Sequence, residues 1–158
     1  MKKENKLIEY TIIESYYGDT KAERSGETYI THINEGLKLL DTLKASPLAK
    51  AAFCLHPIVQ SDTDFARLIA SDSPIFARAN FKAWVLATEY RRWSMMFTTD
   101  SSVAPKITIT DANIKNMLIA DKVQNMIALQ RNRKKYDANE FKRLNSYFNS
   151  WMDILGVK

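Results

Sequence analysis

The stretch DANIKNMLIADKVQNMIAL, residues 111–129, decides the fold class. Asp111 is a helix-start residue, and Ile114, Leu118, Asp121, Asn125 and Leu129 follow at steps of three or four. That spacing lays them along one stripe of an α-helix. Asp121 stands among Ile119, Ala120 and Val123, and an acid buried in such company must be paired or liganded.

The same periodicity runs outward in both directions. Phe141, Leu144, Phe148, Trp151 and Leu155 predict a last helix over residues 139–155. Upstream, Ser73-Pro74 opens a pattern of Ile75, Phe76, Ala79, Ala83, Leu86, Tyr90, Trp93 and Phe97, read as one long fifth helix at the centre of a bundle. Asp62 or Asp64 caps a fourth helix carrying Phe65, Leu68 and Ile69. Ser46-Pro47 starts a short third helix over residues 48–55, with a bend expected after His56 because Pro57 follows. Residues 28–44 and 4–17 read as the second and first helices, the first ended by Gly18-Asp19. Residues 99–110 carry no helical period and are expected to form a polar loop, the candidate for a mobile lid.

Composition agrees. The chain has 158 residues, the size of one ordinary domain, with 46% hydrophobic and 26% charged residues, close to globular averages. Four Gly and four Pro supply too few turns for a sandwich or barrel. The expected architecture is an all-α single domain over residues 1–158, with six to seven helices. The only cysteine, Cys54, excludes an internal disulfide and sits in the apolar run Ala51-Ala52-Phe53-Cys54-Leu55, so a buried thiol in a reducing cytoplasm is expected. No stretch approaches the ~18 apolar residues of a membrane span.

Charge is uneven. Residues 1–80 hold 10 Lys and Arg against 11 Asp and Glu, whereas residues 81–158 hold 13 against 7. The densest run is Arg131-Asn132-Arg133-Lys134-Lys135. It suits phosphates, but it equally complements the C-terminal end of a helix dipole. No zinc-finger spacing, RNA-binding aromatic motif or helix-turn-helix supports nucleic acid as a partner.

The chain has two histidines, His32 and His56, each in a helical segment among apolar neighbours. Core histidines usually only hydrogen-bond, and a metal site needs further donors converging on them. Asp121 is the third candidate.

Three blocks carry a resemblance. Arg24-Ser25-Gly26-Glu27-Thr28-Tyr29-Ile30-Thr31-His32, Cys54-Leu55-His56-Pro57-Ile58-Val59-Gln60-Ser61-Asp62 and Ile119-Ala120-Asp121-Lys122-Val123-Gln124-Asn125-Met126 occur in this order. They resemble the ordered motifs of HD-domain phosphohydrolases, nearest the RelA/SpoT-type (p)ppGpp hydrolases, whose blocks read similarly to SGEPYITHP, LLHDxxEDTD and LADRLHNM. The likeness spans roughly residues 20–130. The chain also resembles small HD-like proteins of tailed phages, which would place it in a host cytoplasm and add a host protein as a candidate partner.

The resemblance implies an HD-type helical bundle in which His32, His56 and Asp121 hold a divalent metal, commonly Mn2+. It also implies a departure, because Pro57 stands where the family has the aspartate of its His-Asp doublet, leaving the ligand set incomplete. Gln60 and Ser61 fall where the family has its water-activating acids, and neither is a base near neutral pH. Asp62 and Asp64 are the candidate substitutes. Arg24, Ser25, Tyr29 and Asn125 match the family's nucleotide pocket, Arg24 and Asn125 being expected on opposite sides of the ligand.

Three functions remain open on the sequence. The leading one is a protein that holds a phosphorylated nucleotide with weak or absent hydrolysis, sequestering a nucleotide signal without need of a cofactor. The second is an active metal-dependent phosphohydrolase with a rearranged site. The third is a protein-interaction module with a relic pocket.

Overall fold

Pro57, where a bend was expected, lies inside a continuous helix. The computed structural model describes residues 6–70, 74–98 and 106–157. Its elements are α1 (Ile8–Tyr17), α2 (Tyr29–Thr42), α3 (Pro47–Gln60), α4 (Asp62–Ala70), α5 (Pro74–Arg78), α6 (Phe81–Ser94), α7 (Ala112–Arg131), a 3-10 turn (Arg133–Lys135) and α8 (Ala138–Leu155). No strand occurs among the described residues; an isolated antiparallel bridge joins Lys21 to Thr28. The chain is therefore all-α, with seven helices of nine residues or more and the single-turn α5 among the described residues.

Side-chain caps set most of the helix starts. Thr28 accepts from the Thr31 amide, Ser46 from Ala49, Asp111 from Ile114, and Asp137 from Asn139 and Glu140. Each satisfies an amide that the helix itself leaves unpaired. For α4 the cap is not Asp62 or Asp64, as expected, but Ser61, whose Oγ accepts from the Asp64 amide at 3.1 Å.

Two further expectations are corrected. The single helix foreseen from Pro74 to Phe97 divides into α5 and α6, because Asn80 takes extended angles and caps Lys82. Its own amide donates to Glu9 Oε1 at 2.9 Å, and Glu9 is buried. That contact spans 71 residues, so no local pattern announces it. The central helix is also not the one foreseen. It is α3, packed against α1, α2, α6 and α7, with every residue from Ala51 to Val59 buried. A helix apolar on all sides belongs inside. Cys54 is fully buried there, and burial pushes its thiol up to about 12, so it is inert packing. Of the loop foreseen at residues 99–110, residues 99–105 lie outside the described residues, and residues 106–110 are irregular.

The crossing of α2 over α3 depends on Gly36. A Cβ at that position would overlap the Phe53 ring, which is itself fully buried. Gly36→Ala gains ~1 kcal/mol of helix propensity but overpacks the crossing, which costs ~1–3 kcal/mol. The expected net result is destabilisation, read as a lower urea midpoint; an unchanged or higher midpoint would show that Phe53 moves aside freely.

Candidate metal centre and the pocket above it

His32 lies in the first turn of α2, His56 near the C-terminal end of α3 and Asp121 midway along α7. The packing of these three helices brings them together. His32 Nε2 and His56 Nε2 are 3.2 Å apart, and Asp121 Oδ1 lies 3.4 Å from the first and 3.7 Å from the second. Metal–ligand bonds of ~2.0–2.2 Å place neighbouring donors ~3.0–3.5 Å apart. The cluster could hold a metal ion.

The outer nitrogen of each imidazole shows which inner atoms are acceptors. His56 Nδ1 is 2.6 Å from the Phe53 carbonyl oxygen. A carbonyl only accepts, so Nδ1 carries the hydrogen and Nε2 presents a lone pair. His32 Nδ1 meets Gln124 Oε1. The Gln124 amide cannot be reversed at low cost, because its Nε2 donates to Glu35 at 3.2 Å and to Glu27 at 3.4 Å. The Nε2 atoms of two imidazoles and a carboxylate oxygen therefore face one another. A metal ion among them would be attracted by all three.

Asp121 is buried but compensated. Its Oδ2 pairs with Lys122 Nζ at 2.9 Å, and its Oδ1 accepts from Asn125 Nδ2 at 2.8 Å. Burial alone would raise this carboxyl; the Lys122 ammonium, joined by the imidazoles whenever they carry a proton, outweighs it and holds Asp121 well below the usual range. Lys122 is buried as well, its ammonium 5.3 Å from the Trp151 ring centre and 5.7 Å from that of Tyr147. Burial pulls His56 down to about 3, and the neighbouring His32 adds to the effect. Tyr90, expected only as core, packs edge-on against His56, and burial together with the nearby Asp121 carboxylate raises its hydroxyl well above the usual range.

Above the cluster opens a cavity of about 530 Å3. All four sequence-expected pocket residues, Arg24, Ser25, Tyr29 and Asn125, line it, as do Pro57, Gln60 and Ser61. Arg24 and Asn125 do not face each other across it, however. Arg24 Nη2 donates to Asn125 Oδ1 at 3.0 Å, so the two form one side of the rim. Tyr136 Oη and Lys135 Nζ donate to the carbonyls of Arg24 and Ser25, pinning the loop before α2 against the end of α7.

The candidate replacements for the missing acid do not reach the cluster. Asp62 is exposed and bonds Arg91, whereas Asp64 accepts from the Tyr16 hydroxyl at 3.0 Å and the Tyr17 hydroxyl at 2.8 Å. Neither lines the cavity. Because α4 begins at Asp62, both carboxylates are carried toward other helices instead of back toward His56.

Several supporting residues escaped the sequence reading. Gln124 follows Asp121 by three positions on α7, a spacing that hinted at a shared face. Nothing local linked Glu27 and Glu35 to Arg131, which bonds each of them at 2.9 Å. The basic run thus folds back on the protein: Arg131 holds the acids behind Gln124, and Arg133 lies 4.0 Å from the Phe141 ring centre. Among the described residues, no helix is long and apolar enough to cross a membrane. Comparison with protein-family models, curated proteins and solved structures gave no match.

Proposed function

We propose that this protein binds a divalent metal through His32, His56 and Asp121 and holds a phosphorylated nucleotide in the cavity above it, with slow or absent hydrolysis. The observation that carries the reading is the convergence of two imidazole lone pairs and a carboxylate beneath a cavity whose rim bears Arg24 and Asn125. A metal held there supplies Lewis acidity toward a phosphoryl oxygen. Lys122 already neutralises Asp121, so the centre would carry the excess positive charge of the metal and favour an anion. Arg24 is exposed at the rim and offers a guanidinium fork to phosphate. Tyr29, stacked on Tyr17 at 4.0 Å, offers a rigid aromatic wall.

Hydrolysis has weaker support. Gln60 Nε2 donates to Ser94 Oγ at 3.0 Å, and Ser61 caps α4, so the positions expected to activate water are occupied by residues with other duties. The hydrolase reading is kept alive by one feature: three protein ligands leave metal positions open, as catalytic centres require. Such a binder suits the sequestration of a nucleotide signal.

Titration calorimetry against guanine, adenine and cyclic nucleotides, with Mn2+ or Zn2+ present, tests binding, and product analysis of the same mixtures tests turnover. Arg24→Ala is expected to weaken nucleotide binding roughly ten- to a hundredfold, the ~1.5–3 kcal/mol of a charge-assisted contact, and to leave metal affinity unchanged. Asn125→Ala is expected to weaken both, because Asn125 also holds Asp121. No nucleotide binding below ~100 μM, or an Arg24→Ala protein that binds as the wild type does, overturns the reading. Brisk metal-dependent turnover would favour the hydrolase.

A further inference from the structure

Pro57 removes a carboxylate from the cluster, yet its place in α3 gives the neighbouring histidine its orientation. In an uninterrupted α-helix the carbonyl of residue 53 accepts the amide hydrogen of residue 57. Proline has no such hydrogen, and its ring crowds that same carbonyl. The helix nonetheless continues to Gln60. The Phe53 oxygen is met instead by His56 Nδ1 at 2.6 Å. Phe53, His56 and Pro57 are all buried, and a carbonyl deprived of its amide there needs another donor.

We propose that Pro57 is a positioning residue: by withholding an amide hydrogen from the Phe53 carbonyl, it reserves that oxygen for His56 Nδ1–H and aims the Nε2 lone pair at His32 and Asp121. The inference rests on the metal-binding reading for its purpose, but the tautomer it sets is a property of the protein alone. Position 57 trades a ligand for the orientation of the ligand beside it. Gln124 does the corresponding work for His32 from a different helix, and both acceptors are uncharged oxygens. Asp121 is then the one anionic donor in a set of two nitrogens and one oxygen, a set suited to Zn2+, Co2+ or Fe2+.

Pro57→Ala in the full chain is the test. The variant regains a helix hydrogen bond and loses a helix-breaking residue, so its melting temperature is expected to rise, and weakened binding then has no origin in unfolding. Long-range 1H–15N spectra of the metal-free proteins report each imidazole tautomer. Wild type is expected to show His56 protonated at Nδ1, and Pro57→Ala to show a substantial Nε2–H population. Co2+ affinity, read from its visible absorption and by competition with Zn2+, is expected to fall ten- to a hundredfold, the usual consequence of losing a hydrogen bond behind a ligand. Gln124→Leu is expected to do the same to His32 and leave the His56 tautomer alone. An unchanged His56 tautomer in Pro57→Ala overturns the proposal whatever happens to affinity, and so does a changed tautomer with undiminished Co2+ binding. If wild type binds neither metal and the tautomer still changes, the orienting role of Pro57 stands and the metal-binding function falls.

Discussion

Asp121→Ala is expected to lower stability by about 3–5 kcal/mol and to abolish metal binding, because it leaves the buried Lys122 ammonium without its anion. The loss is not the value of one ion pair. Lys122 sits over Tyr147 and Trp151 with little access to water, so once Asp121 is gone it must either remain charged and unpaired or surrender its proton. The double variant Asp121→Ala/Lys122→Met is therefore expected to recover most of the loss, since it removes the stranded charge and puts an apolar chain against the two rings. Metal binding stays lost in both. Urea unfolding with matched m-values measures the stabilities; a single-variant loss below ~1 kcal/mol, the range of an exposed pair, would show that Lys122 escapes to solvent.

Acid is expected to destabilise the metal-free protein well before ordinary carboxylates titrate. His56 is pulled down to about 3 in the fold, chiefly by burial, against ~6.5 in an unfolded chain. Between those values the unfolded chain takes up a proton that the folded protein refuses, so stability is full above pH ~6.5 and declines as pH falls toward 3. Over the whole window the loss is on the order of a few kcal/mol, at ~1.4 kcal/mol per unit. Asp121, held well below its usual range, adds a further loss in the same direction below pH ~4. Unfolding midpoints measured with chelator at pH 7.5, 6, 5 and 4 give the slope. His56→Gln is expected to flatten it between pH 6.5 and 4, and equal slopes in the two proteins would show that His56 is protonated without strain.

Much of the helical architecture was legible because its causes are local. The Thr28, Ser46, Asp111 and Asp137 caps and the apolar stripe of α8 each act within a few residues, so α2, α7 and α8 fall close to their expected spans. The misjudged segments are those in which a distant group decides. Glu9 fixes the Asn80 amide from α1, which breaks the expected long helix. Pro57 reads locally as a stop signal, but α3 runs on, with the His56 side chain donating to the carbonyl that the proline leaves free.

The site divides in the same way. The sequence by itself determined the all-α class and marked His32, His56 and Asp121 as ligand-type side chains among apolar helical neighbours, whereas Arg24, Ser25, Tyr29 and Asn125 were suggested by the family resemblance alone. Spacing along a helix fixes which face a residue occupies, and that information is complete within a few turns. Only the tertiary structure decided that the three ligand atoms meet, that Lys122 pairs with the acid, that Arg24 and Asn125 share one side of the rim, and that Asp62 and Asp64 turn away. Those outcomes depend on how α2, α3 and α7 cross, and the crossings follow from close packing between surfaces far apart in sequence, such as Gly36 against Phe53.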